Sequence, residues 1–157
     1  MWNRIFAAAI LIVLAPMAFL TYYANSWLNS IGSPQAALTG FTTYAGFAWA
    51  FLWVSSILLL VLGNVVLWKT RKAWAMWTTL LYFSIFVGIM YFVLGPAYSS
   101  FREVNGVSNG GFSAGPFLAV LLIGISAAIV FFDQFLVLRL CEKVHPTEIA
   151  VSTQVES

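Results

Sequence analysis

Asp133, set in Phe131-Phe132-Asp133-Gln134-Phe135, is the one acidic side chain that falls inside apolar sequence, which makes it the first candidate for chemistry. A charged group at the centre of a membrane helix costs about 2.5 to 3.5 kcal/mol on insertion scales, so such a group is paired, neutralised or functional. Asp133 precedes Arg139 by six residues, which puts it about 9 Å inside the boundary that the arginine marks. Those residues also turn a helix through about 240°, so Arg139 cannot serve as partner from the same helix. Asn64 is expected at a similar depth on another helix, Gln134 is adjacent, and Lys69, Arg71 and Lys72 lie close in height. Three roles are open to Asp133: hydrogen bonding to Asn64, Gln134 or a basic side chain to fix packing, contact with another subunit, or binding of a proton or ligand.

Other chemistries lack their residues. Cys141 is the only cysteine, so no intrachain disulfide forms. Its place beside a membrane makes lipidation conceivable, and an ordinary reduced thiol is the expectation. His145 is the only histidine and sits in a polar tail, which excludes paired-histidine haem ligation within the chain and leaves Ser and Cys without a base. No His, Cys and carboxylate cluster has metal-ligand spacing, no Gly-rich loop with Lys offers a phosphate cradle, and no cofactor is expected. Trp49 and Trp53, spaced i and i+4, form an aromatic stripe whose default role is packing; a bound lipid, quinone or pigment is the alternative. The first span carries no acid of the kind small multidrug-resistance transporters have there, and paired cysteines of the disulfide-generating membrane oxidoreductases are missing.

The composition identifies the solvent. Of 157 residues, 62% are hydrophobic and 8% charged, against about 25% charged in a soluble domain. A net charge of +2 is too small to point to nucleic acid. Apolar runs at 4–23, 44–68, 73–94 and 116–140 each suffice to cross the hydrocarbon, since about 20 helical residues span ~30 Å. The chain is expected to be all-α, four transmembrane helices in an antiparallel bundle over residues 1–143, with 144–157 a disordered cytoplasmic tail. Pro16 is expected to bend the first span. Residues 24–43 read as an interfacial loop with a short helix, in which Ser33-Pro34 is a cap followed by proline at the first helical position. Gly95-Pro96 reads as the stop of the third span, followed by a Gly, Ser and Asn-rich loop over 97–115.

Basic residues set the orientation. Arg4, Lys69, Arg71, Lys72, Arg139 and Lys143 fall on one side of this arrangement and Arg102 alone on the other. The positive-inside rule therefore places both termini in the cytoplasm. Interfacial aromatics agree, with Trp2, Trp68, Trp74 and Trp77 at the inner ends and Tyr22, Tyr23, Trp27, Tyr44 and Tyr98 at the outer ends. The start resembles a signal peptide but lacks a clean small-x-small site, so a retained first helix is expected. A faint echo relates the second and fourth spans: Gly40-Phe41-Thr42 resembles Gly111-Phe112-Ser113, and after a short gap Asn64 falls on Asp133. Common membrane grammar accounts for it at least as well as duplication.

Small residues mark candidate contact faces. Gly46, Ala50 and Asn64 share a direction on the second span, as Ser84 and Gly88 do on the third. On the fourth, Gly124 and Ala128 point about 140 to 180° away from Asp133, so that span has two faces unsuited to lipid. A bundle helix needs one buried stripe, and the spare face suggests a neighbour. The expected function is a non-catalytic accessory or structural subunit packed into a larger membrane protein complex through the fourth span, in a bacterial inner membrane. A hetero-complex is favoured over a homo-oligomer. The alternative is a small homo-oligomeric transporter or channel that uses Asp133 as its titratable group.

Overall fold

The computed structural model describes residues 1–29, 32–107 and 116–144, with side chains of the last helix described over 117–140. It is all-helical, and four of its helical rods are long and apolar enough to cross a membrane. The expected disordered tail and the turns at Asn109-Gly110-Gly111 lie outside the described residues.

Helix α1 spans Trp2–Leu28 and continues through Pro16 as one helix. Helix α2 spans Pro34–Thr70, 37 residues, or about 55 Å at ~1.5 Å per residue. Its start follows the local chemistry: Ser33 is the cap, its hydroxyl accepting from the Ala36 N–H at 3.3 Å, and Pro34 occupies the first turn. Within the loop expected over 24–43, residues 24–28 are instead the last turns of α1 and residues 34–43 the first turns of α2. Contact between the helices explains the difference. Leu28 and Phe41 are buried, and a Cβ on Gly40 would overlap the Trp27 ring, so only glycine lets the indole lie on the α2 backbone.

Lys69 sits in the last turn of α2, and the chain stops at Arg71, whose left-handed φ of 53° lets its N–H reach the Leu67 carbonyl at 2.8 Å. Only 71–73 separate α2 from α3, which spans Trp74–Gly88. A Cβ on Gly63 would meet Met76 at 3.5 Å, so the two helices approach closely just above this turn.

The third rod does not end at Gly95-Pro96. A π-helical stretch, Ile89–Leu94, leads into α4, Gly95–Val104. The Gly95 N–H bonds to the Met90 carbonyl, one residue farther back than in an α-helix. The ladder has therefore already widened where Pro96 enters, and the missing proline donor falls in a first turn, where it costs little. α4 ends where Gly106 takes φ +64°, its N–H bonding to Glu103 and that of Val107 to Arg102, a left-handed glycine cap. Helix α5 spans Pro116–Val144.

α1 packs chiefly on α2, with Phe6, Met17 and Ala24 buried along it, while α5 packs on α3 and α2. In α5 only 6% of the most apolar window is buried, against 33% in α2. The last helix is thus the one held least by its own chain.

Candidate functional site

Asn64 and Asp133 meet between α2 and α5. The Asn64 Nδ2 donates to Asp133 Oδ2 at 2.6 Å in a partly buried setting. An ionised carboxylate only accepts, so the amide must present its nitrogen. The Asn64 Oδ1 is consequently turned away, and it is buried without a hydrogen-bond partner, as are Gln134 Oε1 and Ser56 Oγ. In an apolar helix interface, such acceptors are costly.

Among the other partners named for Asp133, Gln134 does not bond to it and no basic side chain among the described residues pairs with it. Lys69, Arg71 and Lys72 are exposed at the helix end, and the Arg139 guanidinium lies over the Phe135 ring, 5.1 Å from its centre. A carboxylate inside apolar sequence is therefore held by one neutral amide.

The small residues lie elsewhere than an intrachain interface. Gly46, Ala50, Gly124 and Ala128 are exposed, and a Cβ added at Gly46, Gly88 or Gly124 would meet nothing within 4 Å. Ser84 and Gly88 are half-buried. The intrachain face of α2 runs instead through Ala48, Leu52, Ser55, Leu59 and Gly63. Small side chains mark close approach only where a neighbour arrives, and within this chain that happens at Gly40 against Trp27 and at Gly63 against Met76.

Two polar arrangements escaped the sequence reading. Ser55 Oγ and Tyr82 Oη lie 2.9 Å apart in the buried α2–α3 interface. Because the serine proton is directed at the Phe51 carbonyl, 2.6 Å away, Tyr82 is the donor. The signal was a tyrosine in mid-span, away from the interfacial belts. Near the start of α2, Phe41 stacks on Tyr98 at 4.9 Å and the Arg102 guanidinium lies 5.5 Å from the centre of the Tyr98 ring. Trp49 meets Tyr91 edge-on at 5.7 Å and Trp53 meets Phe83 at 5.3 Å, so the aromatic stripe of α2 packs on the third rod.

A surface cleft at the N-terminal end of α2 is lined by Ser33, Pro34, Gln35, Leu38, Thr39, Thr42 and Val107. Its threonine hydroxyls donate to backbone carbonyls of their own helix, so they offer no convergent donor set. Among the described residues, no group of three or more His, Cys, Asp or Glu could hold a metal ion. Comparison with protein-family models, with curated proteins and with solved structures gave no match.

Proposed function

We propose that this chain is a non-catalytic integral subunit of a larger membrane protein complex, packed into it through α5. The observation that carries the reading is the outer face of α5. Gly124 and Ala128 are exposed there one turn apart, with open space where a Cβ would stand at Gly124. Small residues at that spacing let a second helix backbone come close, which is how membrane helices associate where no hydrophobic driving force acts between them. α5 is also the helix least engaged by its own chain. In this reading the four rods form an antiparallel bundle with both termini cytoplasmic, following the basic residues, and the membrane is a bacterial inner membrane.

Purification in mild detergent followed by mass spectrometry tests the reading. The chain should co-purify with other integral proteins, and Gly124→Leu with Ala128→Leu should release them. A chain that runs alone as a monomer, and tolerates both leucines, overturns it.

A second reading rests on a different observation, the carboxylate at the α2–α5 seam with only an amide for company. There the chain is a homo-oligomeric transporter or channel in which Asp133 titrates. Asp133→Asn should then abolish proton-linked flux into liposomes, and unchanged flux discards the idea.

A further inference from the structure

Asp133 and Asn64 lie at the lip of a lipid-facing groove rather than in the middle of a closed interface. On α5 the buried direction is set by Ala119, Ile123, Val130 and Val137. Asp133 is rotated about 50° from that direction, toward the exposed Ile129. On α2, Leu60 and Leu67 pack with Val130 of α5, whereas Asn64 lies between them and the exposed Ile57 and Val61, which are about 20° and 60° farther round. The hydrogen bond between Asn64 and Asp133 thus bridges two helices where their shared interface opens to the membrane. Gly124 and Ala128 face about 140 to 180° away from Asp133, so this lip is a separate surface.

The charges on this lip do not balance. Asp133 Oδ2 accepts from a neutral amide, while Oδ1 makes no hydrogen bond among the described residues and is not enclosed by them. Arg139 lies over a phenylalanine ring and the α2–α3 turn holds its basic groups at the helix end. Acids within membrane spans pair with opposite charge, and a basic residue on another span meets the same requirement from the other side.

The geometry points to a partner: we infer that the α2–α5 groove receives a transmembrane helix of another protein whose single Lys or Arg lies about 9 Å inside the inner boundary and bonds to Asp133 Oδ1. The apolar walls, Ile57 and Val61 on one side and Ile129 on the other, take the partner's aliphatic side chains. Lysine suits the site because its stem can lie along them while the ammonium donates to the carboxylate. The inference rests on the reading of the chain as a subunit, and it adds the chemistry of what is bound.

The test uses the full chain, labelled with a donor fluorophore and reconstituted in phosphatidylcholine vesicles. The probe is an acceptor-labelled, Trp-flanked, leucine-rich transmembrane peptide with one Lys two turns from its inner end. Energy transfer should report association about tenfold stronger than for the same peptide with Leu in place of Lys. Asp133→Asn, isosteric and able to keep a bond to Asn64, should erase that preference, while Gly124→Leu with Ala128→Leu should leave it intact. Equal association of the two peptides, or a preference that survives Asp133→Asn, overturns the inference and leaves the carboxylate to a proton or water. If a native complex purifies but the lysine preference is absent, only this inference fails. If the preference is present but the chain purifies alone from its own membrane, the subunit reading fails instead.

Discussion

Tyr82 donates its phenolic O–H in a hydrogen bond to Ser55 Oγ across the α2–α3 interface, over 2.9 Å in a buried setting. Ser55 can accept because its own proton is spent on the Phe51 carbonyl. The Tyr82 donor on α3 and both the donor and the acceptor of Ser55 on α2 are thereby satisfied in a buried interface. Tyr82→Phe removes the donor and leaves Ser55 with its backbone bond, so it should cost about 0.6 kcal/mol, the average for interhelical hydrogen bonds in membrane proteins, and at most about 1.7 kcal/mol. Ser55→Ala in the Tyr82→Phe background should then add little. Unfolding in mixed micelles of increasing dodecyl sulfate content, run as a double-mutant cycle, reads the coupling directly.

The Asn64–Asp133 bond differs because one partner carries charge. Asn64→Leu takes away the only hydrogen-bond donor that the described residues give Asp133, and removing one partner of a hydrogen bond leaves the other group unsatisfied, which costs most when that group is charged. This substitution should therefore destabilise the chain more than Asp133→Asn, which keeps a hydrogen-bonding side chain of the same shape opposite Asn64. The same micelle titration gives the order, and Asp133→Asn as the worse of the two would contradict it.

Why Asn64 and Asp133 were legible, and Ser55 and Tyr82 were not, follows from how rare each residue is in lipid. An Asp in a run of phenylalanines has few possible partners, and counting turns back from Lys69 and Arg139 puts Asn64 and Asp133 at similar heights. Serine is ordinary in membrane helices, and a tyrosine in mid-span such as Tyr82 is a sign of a buried polar contact that does not name its partner. The four long apolar helices were legible from composition because a segment apolar enough to cross a membrane must satisfy its backbone internally. Their ends were not. Ala24 to Leu28 and Pro34 to Thr43 are helical through contact with each other, Trp27 on Gly40 above all, and contacts between segments do not show in local pattern. At Gly95-Pro96 a valid local rule is overridden by a π-turn that begins at Ile89, in sequence carrying no breaker.

Gly40 should be the least replaceable of the helical glycines. Its hydrogen faces the Trp27 ring, and a Cβ there would overlap the indole, whereas one at Gly46 would enter open space. Gly40→Ala should destabilise α1 against α2, by about 1 to 3 kcal/mol for an overpacked contact. Gly46→Ala should be neutral or favourable, since alanine exceeds glycine in helix propensity by ~1 kcal/mol. The chain's 7 tryptophans all contribute to its emission, so fluorescence does not isolate the Trp27 contact. The midpoint shift of each variant, followed by circular dichroism, reads the cost instead, and equal midpoints for Gly40→Ala and Gly46→Ala would contradict the prediction.

The length of α2 yields a prediction about depth. At 37 residues, about 55 Å, it exceeds a ~30 Å hydrocarbon core by some 25 Å. Lys69, at its inner end, anchors it to the cytoplasmic boundary in the proposed orientation, so the excess emerges on the other side, as the turns from Pro34 to about Tyr44. Thr39 and Ser100 are exposed on α2 and α4, and Leu58 is exposed farther along α2. With Cys141 replaced by serine, Thr39→Cys and Ser100→Cys should react with a membrane-impermeant maleimide added to intact cells. Asn3→Cys should react only after the membrane is opened, and Leu58→Cys, facing lipid, should remain unlabelled in both conditions. Labelling of Asn3→Cys from outside would invert the orientation. Protection of Thr39→Cys would mean that the first turns of α2 lie within the membrane, tilted along it rather than standing clear.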